Sequence, residues 1–559
     1  MKLQSFALSL ATLAALAACS SPPVTTATAP APVPTTAPAA PAASTANSTV
    51  IPPTRLGEAP RDWQLLDEDL DHVPGVSANR AMKELLAGQQ PKRTVVVAVI
   101  DGGIDTAHVD LRPNLWSNPR ETPANGVDDD RNGYADDVRG WNFIGGRDGR
   151  DVYHDTFEVT RLYAQCQHGG SGPNAPQAAA TDDRCKQITA DFEHQRSEIN
   201  DELQGMRGVQ TVVGRIVPIL REATHTDSLT VQNVRALNSS SPEVAQARQI
   251  FLQLAAEGAT PQAIDESVKA LENQSKYSLD PSFDPRSIVG DNYADPTQRI
   301  YGNNDVMGQD AMHGTHVAGI IGAVRGNGIG IDGIAPAVKL MMVRTVPDGD
   351  ERDKDVANAI RYAVDNGANV INMSFGKGYS PYKGAVDEAV RYADAHGVLM
   401  IHAAGNDGAD IGVKNNFPTP AYQSGGRPQN WIEVGASSWK GGDSLVASFS
   451  NYNQQMVDLF APGVDILSTV PGNGYARESG TSMAAPVVTG VAALLMDYFP
   501  SLTAADVRHI LITSARRYPR QQVLRPGEGS AEVPFGTLSA TGAIVNAYEA
   551  VKAAQAARP

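Results

Sequence analysis

Residues 94–100, Thr-Val-Val-Val-Ala-Val-Ile, are almost wholly β-branched and show no apolar–polar alternation. A run of this kind marks a strand covered on both faces, which is the situation of a parallel sheet closed by helices. Further strand signals follow at 339–343, 369–373, 398–404 and 431–437, with a helical pattern at 355–367 between two of them. The alternation predicts an α/β fold with a mostly parallel sheet, helices on both faces and right-handed crossovers. In open sheets of this type ligands lie beyond the carboxyl ends of the strands. Asp101, directly after the first strand, and Asn406, just past the strand ending at Ala404, occupy such ends.

The chemistry is carried by Gly480-Thr481-Ser482-Met483-Ala484-Ala485-Pro486, a tight turn feeding the apolar run 487–495. A serine hydroxyl is a weak nucleophile, so it requires a base for its proton and donors for the oxyanion it generates. Taken alone, Gly-Thr-Ser before a helix is also an ordinary N-cap. The chain supplies the partners upstream: Asp101 in Val99-Ile100-Asp101-Gly102-Gly103, His313 in His313-Gly314-Thr315-His316-Val317-Ala318-Gly319, and Asn406 in Ala403-Ala404-Gly405-Asn406.

These four motifs, in the chain order Asp, His, Ser, jointly resemble the subtilisin-like serine proteases (subtilases, peptidase family S8). The resemblance implies a subtilisin-like fold and an endopeptidase that needs no cofactor for catalysis. It makes Asp101, His313 and Ser482 the triad and Asn406 the side-chain donor to the oxyanion. It also makes Ser374, Phe375 and Gly376 one wall of the substrate cleft, with Ala403, Ala404 and Gly405 facing them. The chain departs from the family pattern at Gly102, where Ser or Thr is usual, so looser support of the Asp101 carboxylate is expected. His313 and His316, three apart on one helix, could be read as metal ligands, but the intervening Glu of a zinc protease is missing. The resemblance makes His316 the histidine that packs inside the helix, and His108, His396 and His402 are expected to be ordinary core or surface histidines.

The N-terminus carries Lys2, an apolar stretch at 6–15, and Leu16-Ala17-Ala18-Cys19. That pattern reads as an export signal, and it resembles a bacterial lipoprotein signal in which Cys19 becomes the lipidated first residue. Ser20 after it favours sorting to the outer membrane of a Gram-negative envelope. From 20 to 54 the chain carries no charge and is nearly all Ala, Pro, Thr, Ser and Val, too poor in burial to order itself and extended by its prolines. About 34 residues at about 3.1 Å each reach roughly 100 Å. Only about forty residues then precede the first strand, leaving no room for the larger inhibitory propeptide of many secreted subtilases.

More than two hundred residues separate Asp101 from His313, against a few dozen in compact subtilases. Most of that distance reads as an insertion at 148–291. Ile199, Leu203, Met206, Val209, Val213, Ile216 and Leu220 recur at helical spacing. So do Val244, Ala247, Phe251 and Leu254, and then Ile264, Val268 and Leu271 after a Thr260-Pro261 start. A small helical bundle follows, either capping the cleft and docking a partner or only stabilising the enzyme. Outside the cytoplasm Cys166 and Cys185 are expected to form a disulfide closing a loop of about 20 residues, worth roughly 3 kcal/mol, with two free thiols as the alternative. Before the insertion, Asp128, Asp130, Asn132, the Tyr134 carbonyl and Asp136 place oxygens at alternate positions around Gly133, as a structural calcium ion requires. A solvated acidic turn is the other reading, and Arg139 stands where an EF-hand has its Glu.

The expected layout is a signal at 1–19, a spacer at 20–54, sheet domain at 55–147 and 292–559, and the insertion at 148–291. The formal charge of −16 excludes nucleic acid as a partner. The chain reads as a lipid-anchored envelope protease acting on proteins or peptides. The rival readings are a catalytically silent peptide-binding protein and a narrowly specific maturation factor using the same cleft.

Overall fold

The computed structural model describes residues 59–167, 182–256, 259–527, 529 and 531–557. The signal, Cys19 and the 20–54 spacer lie outside the described residues. A nine-stranded sheet is built from β1 (Val96–Asp101), β2 (Gly140–Asn142), β3 (Lys339–Arg344), β4 (Val370–Met373), β5 (Leu399–Ala403), β6 (Trp431–Ser437), β7 (Leu459–Pro462), β8 (Arg516–Arg517) and β9 (Ala543–Ile544). Its spatial order is β8-β9-β7-β6-β5-β4-β1-β3-β2, and every pair except β8–β9 is parallel.

Both faces of this sheet are covered, which explains the unbroken apolar strands. Val97 and Val99 of β1 pack into one core with the helices Met312–Gly322 and Thr481–Tyr498. Ala98 and Ile100 pack into the other, against the helices Asp353–Asp365 and Lys383–Ala395. Thr481–Tyr498 is apolar and long enough to pass for a membrane span, but it is buried inside this unit. The lead-in at 59–86 belongs to the first core: Trp63, Leu65, Val76 and Ala81 are buried there with Ala547 and Val551 of the last helix. Trp63 Nε1 donates to Val464 O at 2.9 Å. The last helix is Ala547–Ala556, capped by Asn546, and the stretch before it is spent on β9 rather than on helix.

Packing divides the chain into two units, the described part of Thr181–Ser282 and the remaining described residues. The first is wholly helical, and its 43-residue helix Asp182–Thr224 begins well before the periodicity at Ile199. Val213, Ile216 and Leu220 lie on its buried face, and Val234, Ala247 and Phe251 pack with Ile216 and Leu220. Thr260 caps Pro261–Asn273, accepting from Ala263 N. Cys166 and Cys185 are each disulfide-bonded.

The expected insertion at 148–291 loses both ends to the sheet unit, and buried charge is the reason. Asp155 receives both Nε and Nη2 of Arg352, at 2.7 and 2.9 Å. Glu158 pairs with Arg161 and with Lys377 Nζ at 2.7 Å, and Lys377 also meets Asp353 at 2.8 Å. On the returning side Arg286 is gripped by Asp355 and Asp291, and Lys354 by Asp291. Such pairs cannot be solvated where they lie, so each charge needs its partner in place. Arg286→Met would leave the Asp291 and Asp355 carboxylates buried and short of a cation. We expect it to destabilise the sheet unit by about 3–5 kcal/mol, read as a lower urea midpoint for the fluorescence of buried Trp63 and Trp431. A midpoint equal to that of the parent would show the ion pairs to be energetically idle.

Candidate active site

Asp101 is the last residue of β1 and is buried. Its Oδ1 accepts from Gly102 N at 2.7 Å. His313 lies in the first turn of Met312–Gly322, and its Nδ1 stands 2.8 and 3.0 Å from the two Asp101 carboxylate oxygens. The helix comes this close because residue 314 is glycine: a Cβ there would sit 2.2 Å from Gly103 O. A carboxylate only accepts, so Nδ1 carries the hydrogen and Nε2 is left as the basic nitrogen. Burial opposes a charge on this ring, but the Asp101 charge and hydrogen bond outweigh it, with Glu478 and Asp310 adding to them, and the imidazole pKa is raised. Gly102 thus supports the carboxylate through its own N–H, where a Ser or Thr hydroxyl was the family's usual neighbour.

Ser482 is the second residue of Thr481–Tyr498. A helix start presents unpaired N–H groups and the positive end of the helix dipole, both suited to an oxyanion. Two bonds fasten it to β4: Ser482 Oγ donates to Ser374 O at 3.0 Å, and Ser374 Oγ donates to Ser482 O at 2.9 Å. The Ser374 hydroxyl accepts in turn from Asn372 Nδ2 at 2.9 Å, and Asn372 Oδ1 accepts from Thr489 Oγ1 of the Ser482 helix. In this resting arrangement the Ser482 hydroxyl is bonded to Ser374, not to His313; catalytic contacts of this kind commonly tighten only when substrate is bound.

Asn406 follows β5 and Gly405, whose φ is +100°. Its Oδ1 accepts from Thr481 N at 2.7 Å and from Thr481 Oγ1 at 2.9 Å. Committing the oxygen to Thr481 leaves Nδ2 as the end of the amide that donates. Ser374, Phe375 and Gly376 leave the end of β4, while Ala403, Ala404 and Gly405 leave the end of the neighbouring β5. Asn416 lies between these two segments. A Cβ on Gly376 would be 2.2 Å from Asn416 Oδ1, one on Gly405 would be 3.1 Å from Asn416 Cγ, and Nδ2 donates to Ala403 O at 3.0 Å.

His316 is fully buried, its Nε2 set 3.0 and 3.1 Å from Ile466 O and Ala476 O. Burial pushes its pKa down to about 4, so it is neutral and structural at neutral pH. Asp348, Asp350, Glu351 and Asp353 receive the stem of the insertion. Asp350 Oδ2 accepts from Glu158 N at 2.8 Å, and burial pushes the Glu351 carboxyl up to about 8. No sequence signal pairs residues so far apart. The acidic turn gathers Glu121, Asp128 and Asp130, whose carboxylate oxygens lie within 4.8 Å of one another. Asp136 instead accepts from Asn125 N and Gly126 N, Asn132 Oδ1 from Tyr134 N, and Asp137 faces inward to Tyr362 OH at 2.7 Å. Glu121 was missed because it precedes the repeating pattern.

The Subtilase family (Peptidase_S8) matches residues 92–530. The thermophilic serine proteinase of Bacillus sp. (strain AK1) is 42% identical over 217 residues, 38% of this chain and 48% of that one. Alkaline elastase YaB of Bacillus sp. (strain YaB) is 40% identical over 204 residues, 36% of this chain and 50% of that one. Subtilisin DY of Bacillus licheniformis is 38% identical over 206 residues, 36% of this chain and 70% of that one. The chain thus spans about half the length of the first two of these relatives.

A protonated His313 cannot take the Ser482 proton, so a raised pKa places the acid limb of Ser482 reactivity above the ordinary imidazole value of 6.5. The rate at which a fluorophosphonate labels Ser482 is expected to rise with pH through that limb. In Asp101→Asn the largest raising charge is gone, so the limb moves to lower pH while the maximal rate falls about 10⁴-fold. An unmoved limb would detach His313 from Asp101.

Proposed function

The chain belongs to the subtilase family, and on that premise we propose that it is a serine endopeptidase of the bacterial cell envelope, cleaving proteins or peptides through an acyl-enzyme. The observation that carries this reading is the His313–Asp101 contact through Nδ1, which reserves Nε2 for proton transfer. In the proposed sequence His313 Nε2 takes the Ser482 proton as Oγ attacks the scissile carbonyl. Asp101 orients the ring and stabilises the imidazolium. Asn406 Nδ2 and the Ser482 N–H donate to the tetrahedral oxyanion. The imidazolium then gives its proton to the leaving amine, and a water activated by the same ring resolves the ester. Substrate pairs by strand addition along Ser374, Phe375 and Gly376.

The remaining parts of the proposal concern place and metal. A lipid on Cys19 and the 20–54 spacer would tether the enzyme to the membrane, the outer membrane by the identity of Ser20. A Cys19→Ser protein is expected to leave the membrane fraction, and its retention there would refute the anchor. The oxygen-only set of Glu121, Asp128 and Asp130 suits a hard cation such as calcium, which would brace the turn and supply no chemistry to the reaction. Partner docking on the helical unit belongs to the same proposal, and its removal would separate a maturation factor from a degrader.

The deciding assay is hydrolysis of unfolded casein and of short peptides, with and without calcium chelation. The parent is expected to cleave and Ser482→Ala to be silent, with Asn406→Ala losing about 10²–10³ in kcat. Cleavage of peptides but not casein would leave the narrow enzyme. A folded parent that cleaves neither would leave the catalytically silent binding protein.

A further inference from the structure

A second histidine–carboxylate pair lies behind the substrate edge, on the adjacent strands β5 and β6. His402 and Glu433 are register partners there, and neither has any exposed surface. His402 Nδ1 is 2.8 Å from Glu433 Oε1, and the other carboxylate oxygen accepts from Trp431 Nε1 at 2.8 Å. His402 Nε2 is 2.8 Å from Phe375 O. The ring stands edge-on to Phe375 and tilted against Trp431, so packing as well as hydrogen bonding fixes its plane.

The hydrogen bonds determine where the protons are. A main-chain carbonyl only accepts, so Nε2 must carry a hydrogen. Between Nδ1 and Oε1 there is then one proton, on either atom, and in both arrangements Nε2–H still donates to Phe375. Burial makes this arrangement hard to leave, because an unpaired carboxylate or imidazolium would have no water to turn to.

The consequence falls on the next residue. The Phe375 carbonyl and the Gly376 N–H belong to one planar peptide unit, which is trans, so they point in opposite directions. Pulling the carbonyl inward onto His402 turns the Gly376 N–H away from the core. Among the described residues nothing accepts from that N–H. A side chain at 376 would collide with Asn416, so the close approach here requires glycine.

We infer that His402, oriented by Glu433, is a positioning residue that aims the Gly376 N–H at the main chain of a bound substrate. This rests on the reading of Ser374, Phe375 and Gly376 as the substrate edge. The pair takes no part in proton transfer at the scissile bond, and its action is confined to substrates long enough to lie along that edge. It also replaces the expectation that His402 is an ordinary core histidine.

The test is kinetic, on the full chain, with fluorophosphonate labelling of Ser482 counting the competent enzyme. Two probes are compared: succinyl-tetra-alanine p-nitroanilide, which extends along the edge, and acetyl-alanine p-nitrophenyl ester, which does not. In His402→Leu the KM for the long probe is expected to rise roughly five- to tenfold, the effect of one main-chain hydrogen bond, with its kcat and the ester kinetics within about twofold of the parent. His402→Gln, whose amide can reach Phe375 O, is expected to restore the KM. Should the apolar variant not fold, His402→Asn, polar but too short to reach, is expected to raise KM in the same way. Equal losses on both probes, a fall in kcat alone, or a KM that Gln does not restore would overturn the inference while leaving the protease reading intact. A parent that neither labels nor cleaves would overturn that reading and this inference with it.

Discussion

The arrangement of the site depends on two apolar helices reaching the carboxyl ends of neighbouring strands, the His313 helix that of β1 and the Ser482 helix those of β4 and β5. Helices carrying ordinary side chains at the contact would stand too far away for a side-chain hydrogen bond to cross. Here the approach is closed by missing Cβ atoms. Gly314 lets the His313 helix press on Gly103, and Gly319 of the same helix meets Thr469 and Ser468. Thr469 Oγ1 and Ser468 Oγ donate to Thr315 O and His316 O, so a neighbouring hairpin holds the helix from its other side. Gly490 does the same for the Ser482 helix against Ile334. Close packing of this sort is what converts a strand-end aspartate and a helix-start serine into neighbours.

Around that frame the chain uses buried polar contacts to fix orientation, the part apolar packing leaves undetermined. The reciprocal bonds between Ser374 and Ser482 join the end of β4 to the Ser482 helix, and Asn372 with Thr489 repeats the link two turns on. His402 with Glu433 governs the peptide beside them. Lys377, next along the same edge, is held by Glu158 and Asp353. Burying so many charges is not a route to a more stable fold, since well-packed apolar groups would often serve as well. What the pairs do is tie the two stems of a long insertion to the sheet unit at defined places.

The features legible in the sequence were those carried by local pattern. The β-branched run before Asp101 gave the covered strand, the helical spacing from Ile199 to Leu220 gave the long helix, and Thr260 was readable as a cap. Errors arose where a residue's fate is set by something distant in the chain. The start of the long helix at Asp182 lies outside the apolar periodicity, because that end of the helix has few buried residues. The partners of the acidic run near Asp350, which are Glu158, Arg161 and Lys377, lie far upstream or downstream and leave no local sign in the sequence.

By itself the sequence determined the layered α/β class, the strand ends at which chemistry can occur, and the residue types available there: Asp101, His313, Asn406 and Ser482. It could do so because strand burial, helix capping and strained glycine turns are local effects, written within a few residues of where they act. The tertiary structure decided which nitrogen of His313 faces Asp101, which end of the Asn406 amide donates, that Asn416 lies between the cleft walls, and that His402 is tied to Phe375 rather than merely packed. Those are matters of direction across strands that are adjacent in space and remote in chain, and a hydrogen bond's direction is fixed only when both partners are in place.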